Sequence, residues 1–173
     1  LNHSSNLLWK QQTKQAKMAD SPNGSAYFRS STHAQGLANY PHARIVPSGN
    51  ARTIYVSGTS SRRGDGTFVG AQRKKDAAGN ESLTLDVGLQ TGAVLSNIAE
   101  IIKGATDGKA DMRNVVDATV FLVDMERDYT GMNKEWDRVW PDRAQAPART
   151  TVAVRALPRP EILVEIKCVV HLP

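Results

Sequence analysis

The stretch PARTTVAVRALPRPEILVEIK, residues 147–167, decides how this chain folds. It reads as two adjacent antiparallel strands joined by a proline-stiffened turn around residues 157–160. Strand side chains alternate between faces. Val152 and Val154 in the first strand, and Val164, Ile166, Cys168 and Val170 in the second, are apolar and even-numbered, so they are expected to face the core. Arg149, Thr151, Glu165 and Lys167 then share the opposite face. Arg149 and Glu165 stand nearly equidistant from the turn and are expected to approach each other across the pair. Ala153, Leu163 and Val169 fall on that same face, so it is not simply polar, and a second subunit is expected to cover it. On the residues alone, an internal ion pair and a functional site both remain open for Arg149 and Glu165.

Working outward, residues 114–124 carry the near-continuous apolar run VVDATVFLV and read as a strand. Residues 128–140 read as a helix, with Tyr129, Met132, Trp136, Val139 and Trp140 on one core-packing stripe. Residues 86–103 read as another helix, in which Val94, Ile98, Ile101 and Ile102 recur at helical spacing and GATDG closes the run. TIYVSG at 53–58 is a strand, 45–47 a shorter one that turns at PSGN, TSSRRGDG at 59–66 a loop, and DAAGN at 76–80 a hairpin turn. Strands, helix, strand, helix, strand, strand predict an α+β sandwich with both helices on one sheet face. Residues 19–39, rich in Ser, Gly, Asn and Ala, read as a flexible arm, so that residues 1–39 precede a single domain over 40–173. Residues 1–17 carry three lysines and no acid, and Met18 is read as the natural start.

The bulk composition narrows the function classes. With 173 residues, 40% hydrophobic and 23% charged, the chain can bury a core. No apolar run approaches the roughly 20 residues of a membrane span. The single cysteine, Cys168, fits a reducing compartment, and a cytoplasmic location is expected. The net charge of +5 falls to 19 basic against 17 acidic residues once Lys10, Lys14 and Lys17 are set aside. Aromatic residues are only 6% of the chain, too few for a base-stacking surface, so neither a nucleic-acid nor a membrane partner is expected. His3, His33 and His171 are isolated and show no metal-ligand spacing. The Arg63-Gly64-Asp65 tripeptide resembles an adhesion motif, but three residues match by chance too often to carry weight.

IYVSGTSS (54–61), NVVDATVFLVDM (114–125), MNKEWDRVW (132–140), PARTTVAVRALPRP (147–160) and LVEIK (163–167) resemble, in this order, the RidA (YjgF) reactive-intermediate deaminase family. YVSGTSSRRGDGTF and RTTVAVRALPRPEILVEIK are most similar to its 2-aminomuconate deaminase branch. The resemblance implies a chorismate-mutase-like sandwich, a homotrimer with sites in the clefts between subunits, and a small carboxylate-bearing enamine or imine as substrate. Arg149 matches the family's carboxylate-binding arginine and Glu165 its acidic residue near the reacting carbon. Ser57 and Asn133 match cleft-lining positions, and Thr151 stands where many members place a small residue or cysteine. The family's tyrosine-bearing opening segment corresponds to YPHAR (40–44), where His42 is read as a replacement for that tyrosine. No metal or organic cofactor is implied. A dicarboxylate substrate calls for a second positive group, and Arg62 and Arg63 in the TSSRR loop are the candidates. A general 2-imino acid deaminase and an RNA-directed binding protein are the alternatives.

Overall fold

The computed structural model describes residues 25–35 and 42–173. Among the described residues, eight strands and two α-helices run in the order β1 (Ser25–Tyr27), β2 (Ala43–Ser48), β3 (Ala51–Thr59), β4 (Ala71–Lys75), β5 (Glu81–Leu85), α1 (Val87–Ala105), β6 (Val115–Leu122), α2 (Met125–Val139), β7 (Ala148–Ala153) and β8 (Val164–Leu172), with one 3-10 turn at Met112–Asn114. Six strands form one mixed sheet in the order β1-β2-β3-β8-β6-β7, while β4 and β5 form a separate hairpin. Both helices lie on one face of the large sheet, as the element order predicts.

Local chemistry sets the boundaries. The Asp86 carboxylate accepts from the Leu89 N–H and caps α1, whose buried Val94, Ile98, Ile101, Ile102 and Ala105 form one stripe. Asp124 caps α2 in the same way through the Arg127 N–H. Met132 and Trp136 of α2 and its C-cap Trp140 are buried, with the two indoles 4.3 Å apart, whereas Tyr129 and Val139, expected on the same stripe, are exposed. Gly49 occupies the left-handed region at φ 61° and turns β2 into β3, as PSGN predicts. Asp76 organises the β4–β5 turn by accepting from the Ala78 and Asn80 N–H groups.

Two sequence expectations are corrected. First, the sheet begins at Ser25 rather than near Tyr40, because β1 pairs with β2 in register Tyr27↔Ala43. Tyr27 packs on Gly104 of α1, where a Cβ would collide with its hydroxyl, and the following Arg29 is buried. The remainder of the expected arm, residues 1–24 and 36–39, lies outside the described residues.

Second, β7 and β8 are not a hairpin. β6 lies between them, paired parallel with β7 and antiparallel with β8. The connection passes over the end of β6, where the Val154 N–H donates to the Leu122 carbonyl and the Val123 N–H to the Leu163 carbonyl. The physical reason is the β6–α2–β7 unit: a strand that returns through a helix lands parallel beside the strand it left. The second strand's faces are as predicted, with Val164, Ile166, Cys168 and Val170 all buried. The first strand's faces are inverted. Arg149 and Thr151 are register partners of the buried Ala118 and Val120, while Val152 is 37% exposed.

Candidate active site

Glu165 sits on the sheet face away from the helices, level with Phe121 of β6. It lies against Gly58, where a built Cβ would stand 2.3 Å from its Oε1 atom, so only glycine leaves the carboxyl this position. Burial pushes the Glu165 carboxyl above the ordinary glutamate value. Ser57, Gly58, His42, Arg62 and Glu165 line one cleft, with Ile101 and Ile162 on its apolar side. Its volume is about 70 Å³. Sites for drug-sized ligands are typically about 300–1,000 Å³, so this cleft is too small to enclose such a ligand by itself.

His42 does not point a free nitrogen into the cleft. Its Nδ1 accepts from the Arg29 N–H at 3.3 Å, and its Nε2 lies 2.8 Å from the Ala34 carbonyl. An acceptor at Nδ1 and a donor at Nε2 define the neutral Nε2–H tautomer. Both nitrogens are engaged in holding residues 29–34 over the cleft. His42 is therefore a holder of this strap, which differs from its expected role as a replacement polar tip.

Arg149 lies elsewhere. Its guanidinium carbon stands 4.7 Å from the Trp136 ring centroid, and Nη1 is 3.9 Å from the Met132 sulfur. The flat cation is supported by aromatic stacking and has no carboxylate partner among the described residues. Thr151, two residues on, has a buried hydroxyl without a hydrogen-bond partner among the described residues. Asn133 is half-buried on α2, next to Met132. Within one chain the predicted residues are therefore divided: Ser57, His42, Arg62 and Glu165 line the cleft, Arg149 and Thr151 lie on the helix-facing side of β7, and Asn133 lies on α2. The expected approach of Arg149 and Glu165 across a hairpin does not occur. Arg63 joins none of these: it is exposed, and its Nη1 donates to Thr67.

Arg29 and Asn97 line the cleft and have no counterpart among the predicted residues. The Arg29 guanidinium donates to Glu100 and to the Asn97 side chain. Asn97 in turn donates to the Ser60 carbonyl at 3.0 Å, tying α1 to the loop after β3. Cys168 is buried, and burial together with the Asp117 charge pushes its thiol up to about 12, so it remains a core residue. The basic Arg73 and Lys75 of the hairpin are paired with Glu161 and Glu81. Asp65 accepts from the Thr67 N–H and hydroxyl within its own turn. Among the described residues, no group of three or more His, Cys, Asp or Glu side chains is arranged to hold a metal, and no helix is long and apolar enough to cross a membrane.

A mixed sheet covered on one face by two helices, with a polar cleft bounded by the end of β3, β8 and α1, defines a small α+β sandwich domain. The chain belongs to the family described as Endoribonuclease L-PSP, which residues 32–172 match and whose relatives carry the names RutC, YjgF and RidA. A RutC family protein of Sulfurisphaera tokodaii is 35% identical over 126 residues, covering 73% of this chain and 83% of the relative. A YjgF family member from Neisseria meningitidis is 28% identical at a TM-score of 0.54, over 80% of this chain and 91% of its own. RidA from an Antarctic Psychrobacter shares the fold, with a TM-score of 0.60 at 23% identity over 84% and 98% of the two chains.

Proposed function

We propose that the protein is a deaminase of carboxylate-bearing enamines and imines, that its complete site forms between copies of the chain in a homotrimer, and that its substrate is 2-aminomuconate. The observation that carries this reading is the separation of Arg149 from Glu165 within one chain. Each is built as half of a site. Arg149 is a supported guanidinium on the same strand face as the Thr151 hydroxyl, which has no partner among the described residues, and Glu165 is a half-buried carboxyl in a cleft too small for a six-carbon substrate. The sheet face that carries Glu165 exposes Tyr55 (49%) and Val152 (37%), a surface suited to a second copy.

In this reading Arg149 holds the substrate carboxylate through two parallel hydrogen bonds, which aligns the carbon–nitrogen bond with the neighbouring copy's carboxyl. The Glu165 carboxyl, which holds its proton more firmly than an exposed glutamate, gives that proton to the enamine carbon, and the nitrogen lone pair closes to an iminium. The resulting carboxylate takes a proton from water as the oxygen adds to carbon. The carbinolamine then collapses: Glu165 returns its proton to the nitrogen, ammonia leaves, and the hydroxyl proton passes to the Glu165 carboxylate as the carbonyl forms, which restores the starting acid. Imine plus water thus yields a ketone plus ammonia, and 2-aminomuconate yields an oxo-dicarboxylate. As a general acid and base, Glu165 contributes on the order of 10²–10⁴-fold.

The test is to generate 2-aminomuconate enzymatically and follow its loss and ammonia release, with a simple 2-imino acid in parallel and Arg149→Ala beside wild type. Turnover of the dicarboxylate, lost in Arg149→Ala, is the expected result. Turnover of the simple imino acid alone would move the protein to general imine clearance. The RNA-directed alternative predicts RNA retention that weakens steeply with salt, and flat, weak retention removes it.

A further inference from the structure

The cleft beside Glu165 shares a wall with a second cavity of about 300 Å³, and Arg29, Ala34, Arg62 and Asn97 line both. Two guanidinium groups stand on this wall. Arg29 is only 8% exposed, and a buried charge is costly unless it is paired. It uses two of an arginine's five N–H donors, on Asn97 and Glu100, and the others have no partner among the described residues. The Glu100 side chain is 54% exposed, so water screens its counter-charge. Arg62 donates through Nη1 to the Gln35 carbonyl at 2.8 Å and has no carboxylate partner among the described residues. The wall therefore carries two cations against one screened anion, with donors unspent.

We propose that Arg29 and Arg62 form a second carboxylate subsite that makes the protein selective for dicarboxylates, with Arg29 rather than Arg63 as the second cation. This deepens the deaminase reading and rests on the cleft beside Glu165 being the substrate site. Arg29 belongs to the strap held by His42, so the subsite exists only while the strap is in place. Asn97 and Glu100 orient the Arg29 fork from α1 and are positioning residues.

The test uses the full chain and two unreactive six-carbon probes, the dienedioate muconate and the dienoate sorbate, which differ only in whether the remote end is a carboxylate or a methyl group. Affinities are measured by titration calorimetry. Wild type is expected to bind muconate roughly 10- to 100-fold more tightly than sorbate, the range of one or two charge-assisted hydrogen bonds. Arg62→Gln and Arg29→Gln are each expected to remove about 10-fold of that preference with sorbate affinity retained. Should Arg29→Gln fail to fold, Arg62→Gln and Glu100→Gln carry the test. Glu100→Gln keeps an acceptor that orients Arg29 but removes the competing charge, and is expected to tighten muconate binding several-fold. Equal affinity for the two probes in wild type overturns the proposal, as does an Arg62→Gln or Glu100→Gln protein that weakens both probes alike. A protein that prefers muconate through these arginines yet turns over no imine keeps the subsite and loses the deaminase reading.

Discussion

Gly58→Ala separates the chemistry of the cleft from the stability of the fold. A Cβ at this position would lie 2.3 Å from Glu165 Oε1, 2.8 Å from Cδ and 3.3 Å from Cγ. Ordinary contact begins near 3.4 Å, so the carboxyl must retreat by about 1 Å, a displacement that in a positioned catalytic group costs on the order of 100-fold in rate. The retreat itself is cheap. The clashing atoms are the end of a flexible side chain, and Gly58 is not among the glycines in the left-handed region. The expected change in stability is within about 1 kcal/mol. Steady-state ammonia release from 2-aminomuconate, measured beside thermal unfolding, reads both quantities. A roughly 100-fold fall in kcat/KM with an unchanged melting temperature is the expected outcome. Full activity in Gly58→Ala would refute the role given to the Glu165 position, and a matching collapse of the melting temperature would refute the claim that the carboxyl simply gives way.

Three other outcomes follow from the same structure. Burial raises the Glu165 pKa in the folded state, so its stabilising contribution is full below the ordinary glutamate value and is lost as pH rises through the folded value. Glu165→Gln should therefore match wild type at acidic pH and be relatively more stable near neutrality, and denaturation curves that run parallel across this range would contradict that. Gln90 is fully buried, accepts from the Leu163 N–H at 2.9 Å and donates to the Glu161 carbonyl at 2.8 Å. Gln90→Leu leaves both backbone groups unpaired and should cost about 2–4 kcal/mol in urea denaturation. Deleting residues 1–39 removes β1, the Tyr27 contact with α1 and the Arg29–Glu100 pair, and should lower stability by about 2 kcal/mol or more. An unchanged midpoint would restore the reading of that segment as an arm.

The periodic parts of this fold were legible in the sequence. The helix stripe through Val94, Ile98 and Ile102 and the alternation through Val164, Ile166 and Cys168 each bury one side, so the pattern reports the face directly. The faces of β7 are not legible in the sequence, because an edge strand is packed less tightly and alternates weakly. Val152 looks like a core residue, yet Arg149 and Thr151 occupy the covered side. The signal that places β7 correctly was present in the order of elements, since strand, helix, strand over residues 115–153 predicts a parallel neighbour to β6. Arg29 carries no sequence signal, because the stretch around it has no periodicity. Its burial arises from contacts with His42, Asn97 and Glu100, and Asn97 and Glu100 lie about 70 residues along the chain. The sequence marks Glu165 and Arg149 as candidates one by one, but their spatial relation depends on β6 intervening between their strands.

The claim that one catalytic site draws Arg149 from one copy and Glu165 from another is tested most directly by complementation. Arg149→Ala and Glu165→Gln proteins, each inactive alone, are unfolded together, refolded at equal ratio and assayed for ammonia release. Sites between copies predict recovery to about one quarter of wild-type activity, the share of random interfaces that pair an intact Arg149 with an intact Glu165. Mixtures that stay inactive at every ratio, while refolded wild type regains its activity, would contradict the account.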